Sequence, residues 1–196
     1  MFNDLSSTAA LLRTRRSGRP RDLVEPGPSP AQLHAIFEAA MRTPDHGKLH
    51  PWRFVHVPRA RRSQFASLLQ EAYRIDNPEP GRLEIEANER FAHQAPELIV
   101  ALSSPTPGHK IPLWEQELSC GAACMNLLLA AHAAGFAGGW VTGWAAYSPH
   151  VLAAFGARPE RIAGFIFLGT PGAELEERLR PAFGEVVSEW EGKLLP

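Results

Sequence analysis

Cysteine is almost missing from this sequence, which has two such residues in 196, Cys120 and Cys124. They stand four apart in an apolar run that reads as helix, so both sit on one face and no disulfide framework is available. A structural disulfide is not expected in a reducing compartment. An excess of one charge is also missing: 20 basic residues face 21 acidic ones, for a formal net charge of -1. With a pI near 6.7 the chain has no global basic field to hold a polyanion, and nucleic acid is excluded as a partner. Long hydrophobic runs are lacking too. No stretch approaches the roughly 18 apolar residues that span a bilayer, and residues 1–8 carry neither a charged n-region nor an apolar h-region. The expectation is a cytoplasmic protein with no membrane contact. No internal repeat or low-complexity segment appears.

What is present is enough apolar residue for a core: 44% apolar against 21% charged. That composition and length predict one compact domain over residues 1–196. Thr8 to Arg13 reads as a short helix ending in a basic cluster. Ser29 is a good N-cap with Pro30 at the first helical position, and Leu33, Ile36, Phe37, Ala40 and Met41 follow at helical spacing as a core-facing stripe. Trp52 to Val57 reads as a strand closed by Pro58. Phe65, Leu68, Leu69, Ala72 and Tyr73 repeat the helical spacing, and Leu83 to Gln94 forms a more charged helix. Leu98 to Leu102 is a continuous apolar run, as a buried strand requires. Glu115 to Ala134 is small and apolar on nearly every side, which predicts a helix buried all round and capped by Gly135, with a partner chain supplying part of the cover. Ile162 to Leu168 is the clearest strand. Helices and strands mix without strict alternation, so the fold class is α+β.

Four constellations bear on chemistry. Arg15, Arg16, Ser17 and Arg19 stand at a helix-to-loop junction. Guanidinium groups bind phosphate in a bidentate manner, a hydroxyl adds a donor, and Gly18 allows close backbone approach, although a solvated basic turn has the same composition. The loop from Pro44 to Trp52 places Asp45, His46, Lys48 and His50 between two rigid elements, where binding residues collect. His46 and His50 would suit a metal only on a helix, and Gly47, the flanking prolines and the missing third ligand argue against zinc. Residues 135–143 are rich in glycine, which lets backbone lie against a flat ring, but the dinucleotide fingerprint is not met. Arg178 and Arg180 near the C-terminus form another candidate phosphate clamp.

Taken in order, these pieces resemble the nitroreductase family, in particular its short YdjA-like branch of NAD(P)H nitroreductases. The carriers are Arg15 to Ser17, Met41 to His46, Pro51-Trp52, Trp114 to Ser119, Gly135-Phe136, Gly164 to Pro171, and Arg180-Pro181 before Glu185. The resemblance implies an α+β homodimer with a central mixed sheet flanked by helices, a long helix at the subunit contact, and FMN between the two chains. It implies that Arg15, Arg16, Ser17 and Arg19 contact the flavin phosphate, ribityl chain and pyrimidine edge. Pro44, Asp45, His46 and Lys48 would approach the same flavin from the other subunit, with Arg42 behind them. Trp140, Val141 and Thr142 would line the ring, Arg178 and Arg180 would hold the phosphate, and the C-terminal segment would reach across to the partner. Lys48 and His50 stand where the wider family often has Asn and Gln, positions that tune flavin electronics.

The expected activity is ping-pong transfer of two electrons from NADH or NADPH, through FMN, to a nitroaromatic, quinone or similar small electrophile. The flavin carries such chemistry, so no catalytic side chain is assigned and no metal is required. The sequence leaves two alternatives open: a non-catalytic flavin-binding protein, and a flavin-consuming or dehalogenating enzyme of the same fold.

Overall fold

The computed structural model describes residues 2–192. Helix α1 (Thr8–Thr14) is capped by Ser7, whose hydroxyl accepts from the Ala10 amide at 3.1 Å. The chain leaves it extended through Arg15, makes a 3-10 turn at Pro20–Asp22, and enters the short strand β1 (Leu23–Val24). Helix α2 (Pro30–Ala40) starts as expected, with Pro30 in the first turn and a capping box between Ser29 and Gln32. Strand β2 (Trp52–His56) follows, then helices α3 (Arg62–Asp76) and α4 (Arg82–Ala92), strand β3 (Glu97–Ser103) and the long helix α5 (Leu113–Ala133). Gly135, at φ 91°, ends α5 and turns the chain into β4 (Ala137–Val141). Two single-turn helices, α6 (Trp144–Tyr147) and α7 (Pro149–Leu152), lead to β5 (Arg161–Pro171), and α8 (Phe183–Val186) lies in the C-terminal segment.

Strand β5 is the centre of the sheet and pairs with β1, β3 and β4, while β2 pairs with β3. All four pairings are antiparallel. Here the expectation of a mixed sheet is corrected for the described residues. Two helices, α3 and α4, pack against each other between β2 and β3, so the chain goes out and back and β3 returns against β2.

Both faces of the sheet are covered, which is why β3 and β5 read as unbroken apolar runs rather than alternating ones. Leu98, Val100, Leu102, Phe165 and Phe167 face the side of Phe65 and Leu69 on α3. Ile99, Ala101, Ile166 and Leu168 face α2 and α5, meeting Leu33, Ile36, Cys124, Leu127 and Leu128. On the first side Phe91 stands edge-on to both Phe165 and Phe167 at 5.2 Å. Truncating either buried phenylalanine to Ala costs about 3–5 kcal/mol. Arg62 is also buried. Its guanidinium donates to the carbonyls of Val57, Ala92, Gln94 and Pro96, closing the end of α4, and burial lowers its pKa to about 10.

Two expectations about burial change. Met41 is exposed, because α2 ends at Ala40 and Met41 is only its C-cap. Helix α5 is not buried all round within one chain. Cys120, Cys124, Leu127 and Leu128 rest on the sheet and α2 and Gln116 bonds the loop at Thr106 and Ile111, while Trp114 and Leu118 stand 67% and 53% exposed. No described helix is long and apolar enough to cross a membrane.

Candidate functional site

The residues singled out above fall into groups held by opposite ends of α5. At its C-terminal end, Arg15 to Arg19 run beside β4, with the Gly18 amide donating to the Gly138 carbonyl at 3.1 Å. The approach is close enough that a Cβ on Gly139 would lie 2.5 Å from the Gly18 oxygen. Arg15 Nη1 donates to Ser17 Oγ at 3.3 Å. Arg16 is buried, donates Nη1 to the Arg15 carbonyl at 2.7 Å, and pairs through Nη2 with Glu177. Its Nε–H is buried without a partner among the described residues, and its guanidinium lies 5.0 Å from the centroid of the Phe2 ring. Arg19 pairs with Glu176 at 2.5 Å.

At this end four of the basic residues, Arg15, Arg16, Arg178 and Arg180, outnumber the carboxylates that reach them: Glu177 pairs with Arg16, while Glu176 is taken by Arg19. Burial, then the charges of Arg180 and Arg16, hold Arg15 below the usual guanidinium value, and burial and Arg180 do the same to Arg16. Arg178 lines a cavity of about 100 Å³ with Ser17, Gly18, Arg19 and Glu176. Neither the Arg178 nor the Arg180 side chain has a hydrogen-bond or ion-pair partner among the described residues. The structure thus brings Arg15, Arg16, Ser17, Arg19, Arg178 and Arg180 together, although the last two lie more than 150 residues along the chain from the first four.

The loop of Pro44 to His50 sits at the other end. Ser119 Oγ on α5 donates to the Pro44 carbonyl at 2.7 Å and accepts from Trp52 Nε1 at 3.2 Å. Asn126 Nδ2 donates to Thr43 Oγ1 at 2.8 Å, and His46 Nδ1 meets Glu115 Oε2 at 2.7 Å. Asp45 is used by the loop itself: its carboxylate accepts from the Leu49 and His50 amides at 3.0 and 2.8 Å. Gly47, Lys48 and His50 all take positive φ, at 80°, 56° and 50°. The two non-glycine residues store local strain that the Asp45 bonds and the α5 anchors hold in place. Lys48 and Arg42 are exposed, and no described residue pairs with either side chain. The anchor Ser119 and the C-terminal residue His132 are 13 positions apart, or about 20 Å along the helix at 1.5 Å per residue.

The third group is split by strand alternation. The Trp140 indole lies over Gly164 and donates to the Ala163 carbonyl at 3.0 Å; a Cβ on Gly164 would stand 2.2 Å from Nε1. Trp140 forms one wall of a cavity of about 960 Å³ with Cys120, Gly121, Tyr147, Arg158 and Arg161. Val141 points the other way and packs into the core, so only its backbone is free to line a ring, which narrows the expectation for that residue. Thr142 is exposed. Among the described residues no group of three or more His, Cys, Asp and Glu is placed to hold a metal.

The Nitroreductase family profile matches residues 12–170. The chain belongs to the nitroreductase family, a family of flavin-dependent oxidoreductases. It is similar to the protein named "Putative NAD(P)H nitroreductase YdjA" of Escherichia coli K12, with 38% identity over 162 residues, 82% of this chain and 86% of that one. A "Putative NAD(P)H nitroreductase" of Haemophilus influenzae is 40% identical over 171 residues, covering 86% and 90%. In fold, the chain resembles a nitroreductase-like protein from Bacillus cereus (TM-score 0.78, 22% identity, 95% and 97% covered). A nitroreductase with bound FMN from Bacteroides fragilis also matches, with TM-score 0.66, 21% identity, and 92% and 96% covered.

Several residues that hold these groups in place carried no sequence signal. His132 reads as one histidine in an apolar helix, yet its ring holds the Arg16 carbonyl at 3.0 Å. Glu176 and Glu177 sit in a charged tail, and only the folded chain carries them to Arg19 and Arg16. Ser119 and Glu115 were legible only as part of a family-like run, not as the anchors of the Pro44 loop.

Proposed function

We propose that the protein is an FMN-dependent NAD(P)H oxidoreductase: a cytoplasmic homodimer of single-domain chains that passes two electrons in ping-pong fashion to a nitroaromatic, quinone or similar electrophile. The observation that carries the reading is the crowding of Arg15, Arg16 and Arg180, in which Glu177 meets only Arg16 and the Arg16 Nε–H has no partner among the described residues. A buried Arg16 and a half-buried Arg15, both held low by burial and by the charge of Arg180, fit a phosphate monoester, whose oxygens accept from a guanidinium in pairs. Ser17 adds a hydroxyl, and Arg19 and Arg178 close the rim once Glu176 and Glu177 yield to the stronger anion.

Bound FMN would supply the redox chemistry, taking hydride from a nicotinamide and giving two electrons to the second substrate. The chain's own residues position it and set its surroundings. Trp140 and the backbone of Val141 and Thr142 would line one side of the ring, and the 960 Å³ cavity beyond Trp140 offers room for a nicotinamide or acceptor in turn. A cation facing the ring stabilises negative charge that develops there. Lys48 is exposed and has no partner among the described residues, which leaves it available for that role, with Pro44, Asp45 and His46 beside it and Arg42 behind.

The placement of these groups supports the homodimer. The Pro44 loop is anchored at Ser119, about 20 Å along α5 from His132 and the arginines. Antiparallel packing of two α5 helices sets the loop of one chain beside the arginines of the next. It also covers Trp114 and Leu118, and the C-terminal segment offers exposed Leu179, Phe183 and Trp190 to a partner. Residues 193–196 of that segment lie outside the described residues.

The experiment is the visible spectrum of FMN-loaded protein before and after anaerobic NADPH or NADH. Flavin bands that bleach, and recover with a quinone or nitroaromatic, support the reading. Bands that never bleach favour a flavin-binding protein, loss of flavin over repeated turnover favours a flavin-consuming enzyme, and no flavin binding refutes the assignment.

A further inference from the structure

His132 lies in the last turn of α5, is completely buried, and sets both ring nitrogens against carbonyl oxygens: Nδ1 at 2.6 Å from Leu128 O and Nε2 at 3.0 Å from Arg16 O. Among the described residues no other donor reaches the Arg16 oxygen. The rest of that segment is held at its flanks, by the Arg15 amide on Leu11 O at 2.8 Å, the Arg16 amide on Asn3 Oδ1 at 2.9 Å, and the Gly18 amide on Gly138 O. We propose that His132 is a positioning residue for the flavin phosphate, fixing the Arg16 carbonyl, and with it the Arg15 and Ser17 side chains, against the end of α5. The inference rests on the FMN reading above.

The chemistry of the clamp makes it testable. A carbonyl only accepts, so a neutral imidazole, with one N–H, bonds one of the two oxygens and sets a lone pair against the other; only the imidazolium bonds both. Burial, reinforced by the charge of Arg15, holds His132 below the ordinary imidazole value. The charged groups near the ring are Arg15 and Arg16, with Glu177 beyond the Arg16 guanidinium and Arg13 turned to the Ala9 carbonyl on the surface. Strand β4 has no charged residue, and α5 has none within fourteen positions of the ring. A phosphate at Arg15, Arg16 and Arg180 offsets the opposing charge. The FMN-bound protein therefore holds the His132 proton more tightly than the free protein, and by linkage that proton tightens FMN binding. Riboflavin lacks the phosphate and feels none of this.

The test is the affinity of the purified full chain for FMN and for riboflavin, read by flavin fluorescence, in wild type, His132→Phe and His132→Gln. The Gln amide places a donor near the Nε2 position but does not titrate. His132→Phe is expected to weaken FMN by roughly tenfold, the worth of a lost hydrogen bond in a charged site, and riboflavin by less than about threefold. His132→Gln should recover most of the loss at pH 8. Equal weakening of both flavins, or a Gln variant as damaged as the Phe variant, overturns the proposal and leaves His132 as core packing. If His132→Phe does not fold, His132→Gln decides alone. The ratio of its FMN dissociation constant to that of wild type cancels the titration of FMN itself, and is expected to rise several-fold as pH falls from 8 to 5. A constant ratio overturns the proposal. Failure of the wild type to bind FMN at all refutes the flavin reading itself, a separate result.

Discussion

The two ends of α5 solve different problems with similar residues. At the C-terminal end, Arg15 to Ser17 are pinned through backbone, by β4 on one side and buried His132 on the other, so their guanidinium groups are positioned before any ligand arrives. At the N-terminal end, the Pro44 loop is held by its own Asp45 and by side chains of α5, and it presents Lys48 and His50 in left-handed backbone on an exposed surface. The first arrangement suits a ligand that stays; the second suits a group that must meet a changing partner across an interface. On the proposed reading, rigidity lies where a phosphate is held and exposure where charge near a reacting ring is tuned.

Changes at the first end should cost binding, and changes at the second should cost reactivity. The largest effect is expected from Arg15→Gln with Arg180→Gln. Each lost charge-assisted bond is worth about 1.5–3 kcal/mol, so FMN affinity should fall by roughly 100-fold or more while riboflavin binding changes little, as fluorescence titration will show. Gly164→Ala comes next. Its φ of 154° and the 2.2 Å approach to Trp140 force the indole wall to move, so thermal unfolding should reveal a loss of about 1–3 kcal/mol.

A third effect is set by pH. Since burial lowers the His132 value in the folded chain, the unfolded chain binds that proton first. The contribution of His132 to stability is complete above the unfolded value near 6.5 and is lost as pH falls below it. Denaturant titrations from pH 8 to 5 should show a decline of at most about 1.4 kcal/mol per pH unit from this group, smaller with FMN bound and absent in His132→Gln. Lys48→Gln should leave FMN affinity within about threefold but make the flavin potential more negative by about 30 mV, the equivalent of a tenfold change for two electrons. The smallest change is His46→Ala. It breaks an exposed pair with Glu115 and should alter stability by less than about 1 kcal/mol.

What could be read from the sequence was local. Ser29 and Pro30 mark the start of α2 by side-chain and ring geometry within one turn, and the apolar runs of β3 and β5 carry their own burial because both sheet faces are covered. The Arg15 cluster is legible for the same reason: its members are neighbours in the chain. Met41 was misjudged because helical spacing continues past the residue where the helix stops. For Val141 the expectation narrows from side chain to backbone, because a glycine-rich stretch hides the alternation of a strand. His132 and Glu177 were out of reach, since their partners at Arg16 lie 116 and 161 residues away and neither has a distinguishing neighbour. The exposed side of α5 sits between these cases: its excess of apolar residues was visible, but which side stays open is decided by where the sheet and α2 pack.

The central claim is that one flavin site draws on both ends of α5 and therefore needs two chains. Sedimentation of the FMN-loaded protein over a range of concentrations, followed at the visible flavin band, tests it directly. The account predicts that flavin absorbance travels only with a species of twice the 21.5 kDa chain mass and is released as dilution yields single chains. Flavin carried on a 21.5 kDa species with undiminished affinity would contradict it.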